Sequence, residues 1–233
     1  MRGMNPMVLA DVFRLWRNRL PRKSLVNRDE YILEHCKGRN VANLGACDAP
    51  LTEEKARRGQ LLHQKLQGRC ASLVGYDIDA RSVDLLRTEY GLTDILVRDL
   101  SVVERQIGKK ADLVICADII EHVDNAGRLL SSCNQMLEIG GHLLVSTIHA
   151  LSFRHALRTL LTGIEIVHPD HVAYYSYATL GVLLDRFGFE VTETRYFTYP
   201  TGNRVGELLD GFFNLIPYAA NGLVMEAKKI RDV

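Results

Sequence analysis

Short apolar runs alternate with segments of helical periodicity along most of this chain. The runs begin at Asn40 and cover residues 71–79, 94–98, 111–117 and 141–147, and small, polar or acidic residues follow each of them. Continuous apolar runs of this length are typical of strands buried on both faces of a parallel sheet. Because helix-like segments separate them, the pattern predicts right-handed crossovers with helices on both faces of the sheet.

The predicted helices cover residues 28–36, 52–66, 81–90, 102–107 and 126–137. A further helix over residues 7–20 mixes apolar and basic residues and stops at Pro21. This N-terminal helix is interpreted either as a peripheral helix docked on the domain or as a helix lying on a membrane surface.

The turn after the first strand consists mainly of small residues. Gly45, Ala46, Cys47 and Ala49 leave little bulk between the backbone and a ligand, and Gly45 also tolerates a positive φ. In open α/β sheets, ligands bind beyond the carboxyl ends of the strands, where strand order reverses. The turn is therefore a candidate ligand site, with an ordinary strand-to-helix turn as the alternative.

Acidic residues recur where the predicted strands end. In strand order they are Asp48, Asp77 with Asp79, Asp99, and Asp118 with Glu121. An acid at the end of the second strand can accept hydrogen bonds from ribose hydroxyls, which assigns that role to Asp77. Asp79 is better placed to cap the following helix. Acidic residues at the ends of successive strands, each separated by one helical crossover, predict a nucleoside-binding site.

Composition limits the choice of partners and compartment. The 233 residues are 47% hydrophobic and 24% charged, as expected for one globular domain. With 29 basic and 28 acidic residues, the net charge of +1 does not favour nucleic acid. The five cysteines form no C-x-x-C pair, which favours reduced thiols and a cytoplasmic location. No apolar run reaches the roughly 18 residues of a membrane span.

Several segments, taken in order, resemble the class I S-adenosylmethionine-dependent methyltransferases, particularly those acting on small molecules, sugars and quinones. Residues 41–49 resemble that family's first motif, 74–79 its ribose-binding strand end and 98–100 its adenine-contacting turn. Residues 111–123 resemble the fourth-strand motif that ends in Glu-His-Val, and 138–146 the glycine pair before the fifth strand. The resemblance extends over roughly residues 28–195.

The resemblance implies a Rossmann-like, doubly wound α/β fold with a mostly parallel seven-stranded sheet and helices on both faces. Residues 189–196 and 223–228 would form its antiparallel edge. Within a single domain, residues 1–39 would form an N-terminal helical cap and 40–148 the cofactor-binding core. Residues 149–233 would supply substrate-side loops, a cap helix and edge strands.

The resemblance also implies S-adenosylmethionine as methyl donor and S-adenosylhomocysteine as product. Asp77 would hold the ribose, Asp99 and Leu100 the adenine side, and the Gly45 turn the methionine portion. The full set of implied cofactor-binding residues is Asn43, Gly45, Ala46, Cys47, Asp77, Ile78, Asp99, Leu100, Ala117 and His122.

The implied acceptor is a small molecule, methylated more readily at oxygen than at nitrogen or carbon. Histidine is the usual base for a hydroxyl, and His171, in a loop that resembles the family's, is the first candidate. His149, at the end of the fifth strand, is the second. Tyr174 and Tyr175 would line the acceptor pocket or simply pack.

Two groups of residues suggest a cation site, and neither site is favoured. Asp118, Glu121 and His122 resemble an acid-x-x-Glu-His pattern associated with divalent cations in some quinone methyltransferases. His168 and His171 suit zinc, but no cysteine or third histidine lies close to them in the sequence.

Departures from the first motif keep two alternatives open. Asn43 stands where the family has an acid, and Cys47 and Ala49 replace its second and third glycines. A methyltransferase-like binding or scaffold protein without catalysis is the first alternative. A nicotinamide-dependent oxidoreductase is the second, although the turn lacks the G-x-G-x-x-G pattern.

Residues 206–219 contain an excess of apolar side chains. A helix over the acceptor pocket, a homodimer contact and a membrane-facing patch are the three interpretations of this segment.

Overall fold

A computed structural model describes residues 17–100, 110–199 and 211–233. The described helices are α1 (Arg28–His35), α2 (Thr52–Arg57), α3 (Leu62–Leu66), α4 (Ala80–Tyr90), α5 (Ala126–Met136), α6 (Phe153–Thr162) and α7 (Tyr177–Arg186). The strands are β1 (Asn40–Leu44), β2 (Ser72–Asp77), β3 (Ile95–Val97), β4 (Ala111–Ala117), β5 (Leu137–Ile148), β6 (Phe189–Phe197) and β7 (Gly222–Lys229).

The seven strands form one sheet in the order β3-β2-β1-β4-β5-β7-β6. Strands β1 to β5 pair in parallel, whereas β7 is antiparallel to both β5 and β6. The strand order therefore reverses between β1 and β4. This confirms the predicted doubly wound, mostly parallel sheet with an antiparallel pair at one edge.

Alternate residues of β4 pack on opposite faces of the sheet. Leu113 and Ile115 lie in one apolar cluster with Ile32 of α1, whereas Val114 and Cys116 lie in another with residues of α5 and α7. The side chains of these four residues of β4 are fully buried. Burial on both faces explains why the sequence of this strand is continuously apolar rather than alternating.

The register brings the carboxyl ends of the central strands to one edge of the sheet. Leu44, the last residue of β1, lies opposite Tyr76 of β2 and Cys116 of β4. The residues at or just after the strand ends, among them Gly45, Asp77 and Asp118, therefore meet at that edge. This is the position expected for a ligand in an open α/β sheet.

Some predicted elements differ from the structure. The single helix predicted over 52–66 is two short helices, α2 and α3, with Gly59 at φ +64° between them. Helix α6 was not predicted, and β5 begins at Leu137, four residues earlier than expected. Within the described parts of the chain, no helix has the length and apolar character to cross a membrane.

Two predicted helices lie wholly or largely outside the described residues, and the apolar segment 206–219 lies partly outside them. The helix over 102–107 lies there entirely, and of the helix over 7–20 only residues 17–20 are described, which are not helical. In the segment 206–219, residues 211–213 are helical and Pro217–Ala219 form a 3₁₀ turn.

Gly188, at the junction of α7 and β6, has no space for a side chain. Its φ is +81°, and an added Cβ would overlap the backbone oxygen of Arg231 and lie 2.7 Å from Nδ2 of Asn134. We expect Gly188→Ala to lower the free energy of unfolding by at least about 1 kcal/mol, measured by urea denaturation.

The matched control is Gly181→Ala inside α7, where an added Cβ meets nothing within 4 Å. It should leave stability unchanged or raise it by about 0.5–1 kcal/mol. Equal midpoints for the two variants would contradict the steric account of Gly188.

Candidate functional site

Gly45 brings the turn after β1 against the loop after β4. Its φ of +62° favours glycine, and an added Cβ would lie 2.6 Å from Cδ1 of Ile119, whose side chain would then have to shift. Among the described residues, Asp118 is the one non-glycine residue with positive φ. Cys47 and Ala49 therefore occupy ordinary backbone conformations, in which the family's glycines are not required.

The Asp77 carboxylate ties this turn to the end of β2. Its Oδ2 accepts from the backbone N–H of Cys47 at 2.8 Å, and its Oδ1 accepts from the N–H of Asp79 at 3.0 Å. Burial, reinforced by Asp77, raises the pKa of the Cys47 thiol, so the thiol is protonated at neutral pH. Asp79 caps α4, as predicted, by accepting from the N–H of Arg81.

Two cavities open at this edge of the sheet, and several predicted cofactor residues line the first. The first cavity has a volume of about 490 Å³. The predicted residues in its wall are Gly45, Asp77, Ile78, Asp99, Leu100 and His122. The structure thus brings together one residue or more from the ends of β1, β2, β3 and β4.

The second cavity has a volume of about 680 Å³ and adjoins the first. Gly45, Ala46, Cys47, Ala117, His122 and His171 are the predicted residues in its wall. Both cavities are lined by Leu44, Gly45, Ile119 and His122. The Gly45–Ile119 contact therefore forms part of a shared boundary, at which the contents of the two cavities would meet.

Asn43 lines neither cavity, which corrects the expectation of direct cofactor contact for its side chain. The residue is 1% exposed, and its Nδ2 lies 3.2 Å from Nδ1 of His63. His63 is itself fully buried, and its Nε2 lies 3.2 Å from Asp94. The side chain of Asn43 therefore contacts His63 in the interior and supports β1 beneath the turn, instead of facing the cavities.

Three histidines gather at the wall of the second cavity. The ring centroids of His122 and His171 are 4.4 Å apart, those of His168 and His171 5.1 Å, and those of His122 and His168 5.5 Å. The backbone N–H of Val172 donates to the carbonyl of Glu121 at 2.9 Å, which holds the loop against the end of β4. The fold supplies, in His122, the third histidine that is missing from the local sequence.

Asp118 and Glu121 have different electrostatic environments. Asp118 accepts from Ser146 Oγ at 2.7 Å and from the Tyr199 hydroxyl at 3.0 Å, and it pairs with Arg28. Glu121 is 1% exposed, and burial, reinforced by Asp118, raises its pKa to about 7. At neutral pH, Glu121 is thus divided between its acid and carboxylate forms. This property was not predicted, because the sequence does not reveal its burial.

His149 follows the last residue of β5, as predicted, but it does not reach the cavity that contains His171. It lines a third cavity, of about 440 Å³, which shares no lining residue with the second. The side chain is buried beside the ring of Tyr196, and burial lowers its pKa to about 4. His149 is therefore neutral at pH 7 and separate from His171. Tyr174 lines the same third cavity, and Tyr175 packs against the core.

The family model described as a methyltransferase domain matches residues 52–194, which is more than half of the chain. The chain belongs to the methyltransferase domain family. The chain is 28% identical over 166 residues to a probable S-adenosylmethionine-dependent methyltransferase of Mycolicibacterium smegmatis, covering 70% of the chain and 56% of that relative. The resemblance to class I S-adenosylmethionine-dependent enzymes, with that cofactor, is confirmed at the level of the family.

A second relative of the chain is the ubiquinone biosynthesis O-methyltransferase of Neisseria meningitidis. The two are 25% identical over 198 residues, which cover 78% of each chain. Of the Mycolicibacterium relative, by contrast, the chain spans little more than half the length.

Among solved structures, the chain resembles magnesium protoporphyrin IX methyltransferase from Synechocystis PCC 6803, determined with bound S-adenosylhomocysteine. The TM-score is 0.54 at 14% identity, with 97% of this chain and 95% of that chain covered. At this identity the likeness establishes the fold.

The buried His149 makes stability depend on pH. The pKa of His149 is about 4 in the folded chain and near 6.5 in the unfolded chain. As pH falls, His149 is therefore protonated first in the unfolded chain. The stabilising contribution is complete above pH 6.5 and is lost between pH 6.5 and 4. We expect a loss of about 2 kcal/mol between pH 7.5 and pH 5 from this group.

His149→Phe removes the titrating group while keeping a ring beside Tyr196. Between pH 7.5 and pH 5, its free energy of unfolding should fall by about 2 kcal/mol less than that of the unmodified chain, measured by urea denaturation. His35→Phe, a histidine of α1 outside this cavity, is the control. Identical pH dependence in the unmodified chain and His149→Phe would refute this assignment.

Proposed function

We propose that this protein transfers a methyl group from S-adenosylmethionine to an oxygen of a small-molecule acceptor. One observation supports this above all: a cavity lined by the strand-end acids adjoins a second cavity, and Gly45, Ile119 and His122 belong to both. Methyl transfer needs two ligands whose reacting atoms meet at about 3–3.5 Å, and adjoining cavities provide for that meeting.

The first cavity suits the nucleoside part of the cofactor. A carboxylate offers about four acceptor positions, and two of those of Asp77 are taken by backbone N–H groups. The remaining positions can accept from the two ribose hydroxyls. Asp99 and Leu100 are assigned to the adenine side, and Ile78, which is 68% exposed, to the cavity rim.

The Gly45 turn suits the methionine part. Because Gly45 has no side chain, the backbone from Gly45 to Cys47 remains accessible in the wall of the second cavity. Ala117 and His122 complete this part of the proposed cofactor site. Asn43 contributes indirectly, by supporting β1. When bound, S-adenosylmethionine supplies an electrophilic methyl group, and its sulfur keeps the bonding electron pair as S-adenosylhomocysteine leaves.

The rest of the second cavity suits a hydroxylated acceptor. Its volume of about 680 Å³ lies within the usual range for small-molecule sites. His171 is proposed to accept the hydroxyl proton as the new carbon–oxygen bond forms. Burial, reinforced by His122, lowers the pKa of His171, so the ring is neutral and can accept a proton at pH 7. His149 is not proposed as a base, since it lies outside this cavity.

Similarity to relatives supports oxygen as the methylated atom. The Neisseria relative, which is similar over 78% of this chain, is named an O-methyltransferase of ubiquinone biosynthesis. A partly apolar aromatic compound with a free hydroxyl is therefore the proposed acceptor class. The net charge of +1 gives no support to nucleic acid as an acceptor.

The other sequence-based predictions on partners remain proposals. Helix α6 exposes Leu160 and Leu161 at 83% and 76%, and Arg158 lies on the same helix. This side of the molecule supports contact with a membrane surface or with a second copy of the chain. A cytoplasmic location also remains a prediction.

Calorimetric titration tests the cofactor site. We expect S-adenosylmethionine and S-adenosylhomocysteine to bind with micromolar affinity and NADH not to bind. Asp77→Ala should weaken binding of S-adenosylhomocysteine at least about tenfold, since a hydrogen bond to a charged group contributes about 1.5–3 kcal/mol. Asp84→Ala, which removes an exposed acid from α4, should bind like the unmodified chain.

Each alternative has its own outcome in this titration. If neither S-adenosylmethionine nor S-adenosylhomocysteine binds, the result would support a scaffold without a cofactor. Binding of NADH alone would support an oxidoreductase. An unchanged affinity in folded Asp77→Ala would remove Asp77 from the site.

A radiolabelled methyl donor tests the transfer itself against a panel of hydroxylated aromatic compounds. His171→Gln should lower kcat about 100-fold or more, as for loss of a general base, with cofactor affinity unchanged. His35→Gln, outside the cavities, should retain full turnover. Full turnover by His171→Gln would exclude His171 as the base.

A further inference from the structure

We propose that His122, His168 and His171 form a binding site for a divalent transition metal ion of the zinc class in the wall of the second cavity. One nitrogen from each ring lies within 4.8 Å of the others. Three imidazoles with an open fourth position are the ligand set of one class of catalytic zinc site. Imidazole also selects transition metals over magnesium and calcium, which prefer oxygen ligands.

The arrangement of the rings requires only small movements to bind an ion. With zinc–nitrogen bonds of about 2.0–2.1 Å, tetrahedral ligand nitrogens lie about 3.4 Å apart. The three nitrogens, which lie within 4.8 Å of one another, would have to approach by at most about 1.4 Å. His168 has one weak partner to exchange, because the backbone N–H of Asp170 donates to its Nδ1 across 3.3 Å.

The cluster leaves a polar atom without a partner, which a bound ion would explain. Nδ1 of His171 is buried and, among the described residues, has no hydrogen-bond partner. Buried polar atoms usually have a partner, and exceptions call for an unrecorded ion or water. The backbone nevertheless holds the loop in place, through the bonds from Val172 to Glu121 and from His171 to His168.

The ligand set differs from the acid-x-x-Glu-His pattern in the same segment. Asp118 of that pattern already pairs with Arg28 and accepts from Tyr199 and Ser146, and Glu121 is 1% exposed. The ring of His122 instead faces His171, at a centroid distance of 4.4 Å and an interplanar angle of 84°. The two additional ligands come from a loop outside the Asp118–His122 segment.

The position of the site suggests a role for the ion at the acceptor, and this role rests on the proposed function. His122 also lines the first cavity, so the open position would lie beside the boundary of the two cavities. An acceptor hydroxyl bound there would lose its proton to solvent on coordination, since metal ligands bind deprotonated. In that case His171 acts as a ligand and not as the base.

Metal binding can be measured without any acceptor. Full-length chain stripped with a chelator is titrated with Zn²⁺ in competition with a chromophoric chelator, and with Co²⁺ as a visible spectroscopic probe. We expect one ion per chain and a Co²⁺ absorption typical of low coordination number. His168→Ala and His171→Ala should each weaken Zn²⁺ binding at least about tenfold.

His35→Ala is the matched control, because His35 belongs to a second group, with Glu193 and Glu226, that could also hold an ion. It should bind Zn²⁺ like the unmodified chain. Zn²⁺ binding that survives in His168→Ala and His171→Ala, or that His35→Ala abolishes, would overturn the proposal. Since His168 is exposed, its replacement should leave the fold intact, as circular dichroism would verify.

The outcome for the metal site is separate from that for methyl transfer. Cofactor binding without one-to-one Zn²⁺ binding would overturn the metal site and leave the proposed function standing. Zn²⁺ binding by the three histidines without cofactor binding would support the site and count against the proposed function. Methyl transfer that persists at full rate in chelator would overturn the ion's role at the acceptor.

Discussion

The contact between Gly45 and Ile119 is the constraint on which the site depends. Because β1 and β4 are neighbouring parallel strands, the loops that follow them leave the sheet side by side. They touch where Gly45 has no Cβ, since an added Cβ would lie 2.6 Å from Cδ1 of Ile119. The touching loops form the boundary between the two cavities. A side chain at this position would be strained at φ +62° and would require the Ile119 side chain to shift.

Three carboxyl groups at this edge are distinguished by their partners and not by their chemistry. Asp77 is held by backbone N–H groups, which leaves lone pairs for a ligand. Asp118 accepts hydrogen bonds from Ser146 and Tyr199 and pairs with Arg28, so its role is structural. Glu121 is buried, and its pKa rises to about 7 because burial disfavours the charged form. Burial and hydrogen-bond partners thus give three neighbouring carboxyl groups different properties.

The two cavities are built from different parts of the fold. The first is lined by residues at the ends of β1 to β4, whose positions the order and register of the strands fix. The second is completed by the loop that carries His168 and His171, which no strand register fixes. Loops of this kind vary more readily than the sheet that positions them. The histidine cluster is therefore where this chain would differ in chemistry from methyltransferases of similar fold.

The sequence by itself determined the sheet, because burial on both faces demands continuous apolar runs, as in β4, and acids such as Asp77 mark where those runs end. Local spacing could not show that His149 and Asn43 are buried away from the two adjoining cavities, or that His122 meets His168 and His171. Those outcomes depend on which loops pack together in three dimensions. Periodicity records which face of an element is buried, whereas contacts between distant loops follow from how the strands are ordered in the sheet.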